Sequence, residues 1–270
     1  MSVTFKSLEF ATWQRGAEAY DRLFGTVTRA AIAPTLDALK LLPGQRLLDI
    51  GCGTGQTVAA AQERGVEACG IDLAPAMVGL ARRRCPTGTF RVGDAEALEE
   101  EDGVFDSASC LFGVNHFPDQ ERAIAEAFRI LRPGGLFAFT MWHPPGPSKF
   151  HALVRDAIAA HGEESDVPSP VSAPRLRFGE AGACAELLLA AGFELLQVCD
   201  LPLAFHLESP NTVLELAATS PRVSLLLAQQ SEASRQRIEA AIVEGAQAFR
   251  RDDRIHLPIP ALLTVGRKPI

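Results

Sequence analysis

The chain has 270 residues, 47% of them hydrophobic and 22% charged, which is enough apolar material to bury the core of one large domain. Its formal net charge of −7 argues against the basic surface with which proteins usually bind nucleic acid, so we expect no nucleic-acid partner. The absence of a secretory signal pattern, of a membrane-length apolar run and of paired cysteine spacings predicts a cytoplasmic protein with reduced thiols and no membrane partner.

The first forty residues have the periodicity of helices. Trp13, Ala17, Tyr20 and Phe24 recur at helical spacing on one apolar face. A second helix is predicted over 34–41, because a proline opens it and a Pro-Gly pair follows it.

From residue 46 to residue 142, short apolar runs alternate with amphipathic patterns. This alternation predicts βαβ units, and therefore a parallel sheet with helices on both faces. The predicted strands are 46–50, 66–72, 89–94, 105–112 and 136–142, and the predicted helices are 55–64, 75–84 and 119–131.

After Trp142 the alternation breaks. Helices are predicted at 149–160 and 180–191, strands at 193–201 and 261–267, a proline-rich loop at 163–178 and a helical stretch at 209–252. We therefore predict an α/β fold, Rossmann-like and doubly wound, with a seven-stranded, mostly parallel sheet and helical lid insertions. Such lids are expected above the carboxyl ends of the strands, where doubly wound sheets bind ligands.

This pattern divides the chain into six parts. They are an N-terminal helical segment covering the ligand site (1–42), a ligand-binding core (43–142), a lid insertion (143–180), a core helix with the sixth strand (181–208), a second helical lid insertion (209–256) and a final core strand (257–270).

A glycine-rich turn, DIGCGTG at 49–55, follows the first strand and opens a helix. Glycines allow a tight turn and close approach of a ligand, and the helix start offers free N–H groups. The G-x-G-x-G spacing differs from the dinucleotide fingerprint G-x-G-x-x-G. Asp49 would repel a pyrophosphate but attract a cationic ligand with an amino-acid tail. Asp72, about 20 residues further on, can accept hydrogen bonds from ribose hydroxyls.

Five runs together resemble the motifs of a known family. They are LLDIGCGTG (47–55), GIDLAPAMVGLAR (70–82), FRVGDAEAL (90–98), FDSASCLFGVNHFPD (105–119) and RILRPGGLFAFTMW (129–142). They are similar to the class I S-adenosylmethionine-dependent methyltransferases, in particular the ubiquinone/menaquinone-biosynthesis-like group acting on small molecules. The resemblance in sequence covers about residues 40–142. Outside this range only the predicted architecture of the chain is similar.

The resemblance implies S-adenosyl-L-methionine as cofactor, S-adenosyl-L-homocysteine as product and no metal. It implies that Gly51, Gly53 and Gly55, with Cys52 between them, pass beneath the methionine part, and that Asp49 lies near its amino group. The remaining implied contacts are Asp72 to the ribose, Leu73 to the adenine face, Asp94 to the adenine amino group, the Ala95 N–H to a ring nitrogen, and Leu111 and Phe112 to the methionine side. Related enzymes often fold an N-terminal helix over the cofactor, so the Tyr20 hydroxyl is a candidate donor to the cofactor carboxylate, although core packing is the favoured reading of this residue.

Methyl transfer needs an aligned nucleophile, exclusion of water and, for a hydroxyl acceptor, a base. His116 follows the fourth strand, where the family's loop faces the methyl group, and is the first candidate base. His143 follows the fifth strand and is the second. The alternatives are packing or hydrogen bonding within the loop for His116, and a structural hinge for His143.

The predicted reaction is in-line methyl transfer to O, N or C of a small organic molecule, such as a secondary metabolite or a quinone-like compound. The fourth strand ends in Phe112-Gly113-Val114-Asn115, unlike the Pro-Pro tetrapeptide of methyltransferases that act on nucleobase or glutamine amino groups. A non-methylating protein that binds the same cofactor is the alternative, and an NAD-dependent oxidoreductase is less favoured by the glycine spacing. We expect a monomer or a homodimer.

Overall fold

The computed structural model describes residues 4–163 and 176–270, so most of the predicted proline-rich loop (163–178) lies outside the described residues. Among the helices of these two ranges, none is both long and apolar enough to cross a bilayer.

Helices and strands alternate through the first half of the chain, as the sequence predicts. The helices are α1 (Phe5–Arg22), α2 (Phe24–Thr28), α3 (Ile32–Ala38), α4 (Gln56–Glu63), α5 (Pro75–Arg84), α6 (Gln120–Ile130), α7 (Lys149–His161), α8 (Ala181–Ala190), α9 (Thr212–Thr219), α10 (Pro221–Ala228) and α11 (Glu232–Gln247). The strands are β1 (Arg46–Ile50), β2 (Glu67–Asp72), β3 (Thr89–Val92), β4 (Phe105–Leu111), β5 (Leu131–Trp142), β6 (Glu194–Leu201), β7 (Ala204–Leu207), β8 (Arg250–Arg251), β9 (Arg254–Pro258) and β10 (Ala261–Arg267).

Local sequence explains where the helices begin and which face they bury. The Asp119 side chain accepts a hydrogen bond from the Arg122 N–H and so caps α6. The apolar residues of α6 recur every three or four positions, and Ala123, Ile124 and Ala127 are buried against the sheet.

Seven strands form the main sheet in the order β3-β2-β1-β4-β5-β10-β6. All neighbours pair in parallel except β10, which is antiparallel to both β5 and β6. The predicted α/β fold with a seven-stranded, mostly parallel sheet is therefore confirmed. Because β1, β2, β4 and β5 are parallel, the segments after them meet at one edge of the sheet.

The sheet separates two apolar clusters. Alternate residues of β1 point to opposite faces, as the pleat requires. Leu47 packs with Leu36 and Val58 on one face, whereas Leu48 packs with Ile124 on the other. Both leucines are fully buried, which fixes the register of the central strand.

The stretches after β5 and β6 contain helices, as predicted, and also short strands that the prediction does not include. Strands β7, β9 and β8 form a second, three-stranded sheet, and β8 and β9 lie in the stretch predicted to be a helical lid. These strands have two to five residues, so their alternation is too short to stand out from the helices before them. Phe205 of β7 packs edge-on against Phe24 and Phe150, which joins the small sheet to α2 and α7.

Phe205→Ala should lower the free energy of unfolding by about 3–5 kcal/mol, because the buried ring touches two other buried aromatic rings. Urea denaturation measures this change. His206→Ala, at the neighbouring exposed position, is the control and should change stability by no more than about 0.5 kcal/mol. Equal losses in the two variants would contradict the packing role of Phe205.

Candidate functional site

The glycine turn after β1 lies at the carboxyl edge of the sheet and leads into α4. Gly55 has φ 78°. A Cβ added there would lie 2.8 Å from Ala81 Cβ and 2.9 Å from Phe90 Cζ, so both conformation and space require glycine. At Gly53 (φ 51°) an added Cβ would meet no described residue within 4 Å apart from its chain neighbours, so with respect to the described residues this part of the turn is open.

Asp49, the last residue but one of β1, is a buried carboxylate beside this turn. Its side chain accepts a hydrogen bond from Ser109 Oγ at 2.6 Å, and Thr57 supplies a second. Burial raises its pKa to about 7, and neighbouring Asp72 adds to the effect. A cationic partner would stabilise the charged form of this buried carboxyl group, which burial disfavours.

Asp72, at the end of β2, holds the turn in shape. Its Oδ2 accepts the Gly53 N–H and its Oδ1 accepts the Ala74 N–H, both at 2.9 Å. Burial raises the pKa of this carboxyl group, although the two backbone bonds favour its charged form. Leu73 follows directly and is half-buried.

A cavity of about 40 Å³ lies between the glycine turn and the N-terminal helices. It brings together six of the residues predicted to contact the cofactor, namely Tyr20, Asp49, Gly51, Cys52, Gly53 and Leu111. Thr28 and Ile32, which the sequence analysis did not single out, also line it. Pockets that bury a small ligand have about 300–1,000 Å³, so this cavity in its present shape can hold only part of a cofactor.

The Tyr20 side chain lies in this cavity wall and hydrogen-bonds to Thr28. Burial raises its pKa to about 12, so the phenol stays protonated and can donate. Trp13 packs edge-on against it with ring centroids 5.4 Å apart. The helical face predicted from Trp13 and Tyr20 therefore lies over the glycine turn.

Next to Tyr20, Asp21 fixes the end of α1 to the turn. Its two carboxylate oxygens lie 2.8 and 2.7 Å from Arg84 Nη2, and Oδ1 also accepts from Thr54 Oγ1 at 2.7 Å. Burial works against the charge, but the bonds from Arg84 and Thr54 outweigh it and lower the pKa of Asp21.

Phe112, immediately after β4, has the unusual backbone angle φ 57° for a residue with a side chain. Its N–H donates to Thr140 Oγ1 at 3.0 Å, and its ring stacks on Trp142 at a centroid distance of 3.9 Å. Together with Leu111 it forms the wall between β4 and β5. Sequence reasoning missed Thr140 and Trp142, although both lie at the carboxyl end of the strand next to β4.

The structure places His116 on a short turn beneath α1. Its Nδ1 lies 2.9 Å from Glu9 Oε2, and its Nε2 lies 3.0 Å from Asn115 Nδ2. Trp13 donates to the same Glu9 oxygen at 2.8 Å. His116 also lies within electrostatic reach of Asp72, on the predicted ribose side, and it does not line the 40 Å³ cavity.

His143 points elsewhere. Its Nε2 lies 2.8 Å from Asp200 Oδ1, so the ring reaches past β10 to β6, and its N–H donates to the Pro260 carbonyl. These hydrogen bonds of His143 are directed towards β6 and β10 and not towards β4, where Leu111 and Phe112 lie. The structure therefore does not bring His143 together with His116 or with the glycine turn.

Asp94 and Ala95 follow β3. Asp94 Oδ1 accepts the Glu96 N–H at 3.0 Å, and its Oδ2 accepts from Lys6 Nζ at 2.7 Å. Ala95 is buried in the cluster that also contains Ile71. Lys6 and Glu9 were missed by sequence reasoning, since no local pattern marks a residue whose partner is about a hundred positions away.

Comparison with known proteins identifies the family. A family model described as a methyltransferase domain matches residues 48–139. The ubiquinone/menaquinone biosynthesis C-methyltransferase of Methylobacterium nodulans is 32% identical over 64% of this chain and 76% of its own length. The nocamycin O-methyltransferase of Saccharothrix syringae is 32% identical over 74% of this chain and 76% of its own. The chain belongs to the class I S-adenosylmethionine-dependent methyltransferases.

Solved structures share the fold of this chain. A phosphoethanolamine N-methyltransferase of Haemonchus contortus, solved with phosphomonomethylethanolamine and S-adenosylhomocysteine, aligns with a TM-score of 0.62 at 21% identity, over 99% of this chain and 61% of that one. The chain spans about half the length, 50–56%, of the first curated relatives it matches.

The residues of the site fit the family's cofactor, S-adenosylmethionine. The open side of the turn at Gly53 can take a ligand against the backbone, and the buried Asp49 carboxylate suits an ammonium group. Carboxylates at Asp72 and Asp94 stand at the ends of the next two strands, where hydroxyl and amino donors can reach them. Within the two described ranges, no three or more His, Cys, Asp or Glu side chains cluster as metal ligands do.

Asp49→Asn should stabilise the fold at high pH. The folded-state pKa of about 7 lies above the ~3.9 of an unfolded aspartate, so the stability that the protonated group contributes is lost as pH rises from about 4 to 7. Asparagine cannot ionise, so the variant should gain up to about 4 kcal/mol at pH 8 and almost nothing near pH 4.

Urea unfolding at the two pH values measures this gain. Asp37→Asn, at an exposed aspartate paired with Arg64, is the control, and its effect should not grow with pH. A gain for Asp49→Asn that is the same at both pH values would show that ionisation of Asp49 is not its cause.

Proposed function

We propose that the chain is a methyltransferase that binds S-adenosylmethionine and methylates O, N or C of a small organic molecule. The observation that carries the proposal is the glycine turn, which is open at Gly53 and flanked by the buried carboxylate of Asp49 and the half-buried carboxylate of Asp72. Membership of the methyltransferase family supports this proposal and disfavours the alternative of an NAD-dependent oxidoreductase.

The proposed cofactor contacts follow the order of the strands. Gly51, Gly53 and Gly55 with Cys52 support the methionine part, Asp49 faces its ammonium group and Tyr20 donates to its carboxylate. Asp72 accepts from the ribose, Leu73 and Ala95 contact the adenine ring, and Asp94 accepts from its amino group. Leu111 and Phe112 close the methionine side. When bound, the cofactor supplies a methyl group activated by its sulfonium charge.

A hydroxyl acceptor must lose a proton, and His116 is the better placed of the two histidines to accept it. Its Nε2 takes a hydrogen bond from Asn115, so the acceptor must displace that amide to deliver the proton. Glu9 at Nδ1 then stabilises the resulting charge. The buried Asn115 Oδ1 has no hydrogen-bond partner among the described residues, so rotation of the amide by half a turn lets this oxygen accept a hydrogen bond from the protonated ring.

Aromatic side chains at the carboxyl ends of β4 and β5 favour an apolar, ring-bearing acceptor. Phe112 stacks on Trp142, and Trp142 packs against Phe24 at 6.3 Å. One relative is named for ubiquinone and menaquinone biosynthesis and another for nocamycin, so a quinone-like compound or a secondary metabolite fits. We also propose a cytoplasmic location, no nucleic-acid or membrane partner, and a monomer or homodimer.

Asp72→Ala should weaken S-adenosylhomocysteine binding by about 1–3 kcal/mol, or roughly 5- to 150-fold, because the variant loses hydrogen bonds to a charged acceptor. It also frees the Gly53 N–H that shapes the turn. Isothermal titration calorimetry measures the affinity. Asp37→Ala, at an exposed position far along α3, should bind as the wild type does. Wild-type affinity in Asp72→Ala would contradict the ribose role.

The reaction is tested by incubating the protein with S-adenosylmethionine and a panel of hydroquinones, phenols and amines, and by measuring S-adenosylhomocysteine formation. With a hydroxyl acceptor, His116→Ala should lower turnover by ~10²-fold or more while cofactor affinity stays nearly unchanged. His143→Ala is the control and should retain turnover, because its ring pairs with Asp200.

Wild-type turnover in His116→Ala would remove that residue as the base. Binding of S-adenosylhomocysteine without methyl transfer to any acceptor in the panel would favour the non-methylating alternative.

A further inference from the structure

The first turn of α1 reaches the residue proposed to recognise adenine. Lys6 lies in that turn, and its Nζ contacts Asp94 Oδ2 at 2.7 Å. Both side chains are about one-third exposed, so the pair lies at the rim of the site. The contact bridges 88 positions of sequence and joins α1 directly to the loop after β3.

The two carboxylate oxygens of Asp94 have different hydrogen-bond partners. Oδ1 accepts the Glu96 N–H at 3.0 Å, a local bond that orients the carboxylate. Oδ2 has no backbone donor among the described contacts of Asp94, and Lys6 occupies it. A ligand amino group that approaches Asp94 therefore meets the oxygen that the ammonium already holds.

Lys6 also contacts a second carboxylate that can accept its hydrogen bond. Its Nζ also contacts Glu96 Oε2 at 2.6 Å, and Glu96 is held in place because its Oε1 accepts the Asp119 N–H at 2.9 Å. The Glu96 side chain is only 12% exposed. Burial works against the charged ammonium, but the two carboxylates outweigh it and raise the pKa of Lys6, so the group stays charged.

We propose that Lys6 is an internal competitor for the adenine amino group at Asp94, and that it moves onto Glu96 when the cofactor binds. This inference rests on the proposed function, because that function assigns the adenine amino group to Asp94. The exchange leaves neither group without a hydrogen-bond partner, because Asp94 Oδ2 gains the amino donor and the ammonium keeps the Glu96 carboxylate.

The space at the site supports the same conclusion. The cavity beside the glycine turn has about 40 Å³, and α1 covers the surface between that turn and Asp94. At the other end of α1, Asp21 is tied to Arg84 and Thr54, three bonds that do not involve a residue proposed to contact adenine. Of the two ends of α1, the Lys6 end is therefore the one that occupies a residue proposed to contact the cofactor, namely Asp94.

The test compares the affinity of two ligands for the wild type and four variants by isothermal titration calorimetry. The ligands are S-adenosylhomocysteine and its analogue with hydrogen in place of the adenine amino group. Lys6→Met keeps the aliphatic chain but removes the charge, and it should bind S-adenosylhomocysteine about three- to tenfold more tightly than the wild type. It should show no such gain for the deamino analogue, which has no donor for Asp94.

Glu96→Gln should change affinity in the opposite direction. It weakens the second acceptor, so Lys6 stays on Asp94 and S-adenosylhomocysteine binds about threefold or more weakly. The introduced amide oxygen can still accept the Asp119 N–H, and the double variant should bind like Lys6→Met alone. Glu18→Gln is the matched control, because Glu18 lies on the same helix in an exposed ion pair with Arg83 at 3.9 Å.

Several outcomes would overturn the inference. Unchanged or weaker binding of S-adenosylhomocysteine by Lys6→Met would do so. So would an equal gain for both ligands or an equal gain in Glu18→Gln, since either would show that the helix is merely loosened. If the wild type bound neither S-adenosylhomocysteine nor S-adenosylmethionine, the proposed function itself would fail.

Discussion

The site depends on one carboxylate that ties two backbone turns together. Asp72 accepts the N–H groups of Gly53 and Ala74, and so joins the turn after β1 to the turn after β2. Without these bonds the glycine-rich segment would have many conformations, because glycine restricts the backbone least. The parallel pairing of β1 with β2 places Asp72 opposite this turn, and the fold therefore determines the shape of the ligand-binding surface.

Buried acids at this edge oppose stability. Asp49 is 2% exposed, and its neighbours are hydroxyl groups and another carboxylate rather than a basic side chain. Proteins keep such groups where binding needs them, at some expense to the folded state. The N-terminal helix brings a positive charge to one carboxylate of this edge, because Lys6 reaches Asp94. Its Glu9 is itself a buried acid, which His116 and Trp13 hold by hydrogen bonds.

Those parts of the fold and of the site that neighbouring residues determine could be predicted from the sequence. The bounds of α5 and β10 agree with the predicted 75–84 and 261–267, since a proline marks the start of the helix and a mostly apolar run marks the strand. The glycine turn is likewise a local signal of spacing and charge. The small sheet was missed because β7 pairs with β9 across about fifty residues, and neither strand is long enough to show a period. The partners of His116 and Asp94 lie on α1, and only the fold brings them together.

The backbone at Phe112 has a consequence for how this site can change. A left-handed angle costs a residue with a side chain roughly 1–2 kcal/mol, and the bonds from its N–H to Thr140 hold the residue there. Glycine at this position would relieve the strain but remove the ring that stacks on Trp142. The ring is buried, and losing it would cost about 3–5 kcal/mol, more than the strain that glycine removes. The packing of the side chain therefore keeps the strained backbone in place, and a smaller residue at this position would loosen the contact between the carboxyl ends of β4 and β5.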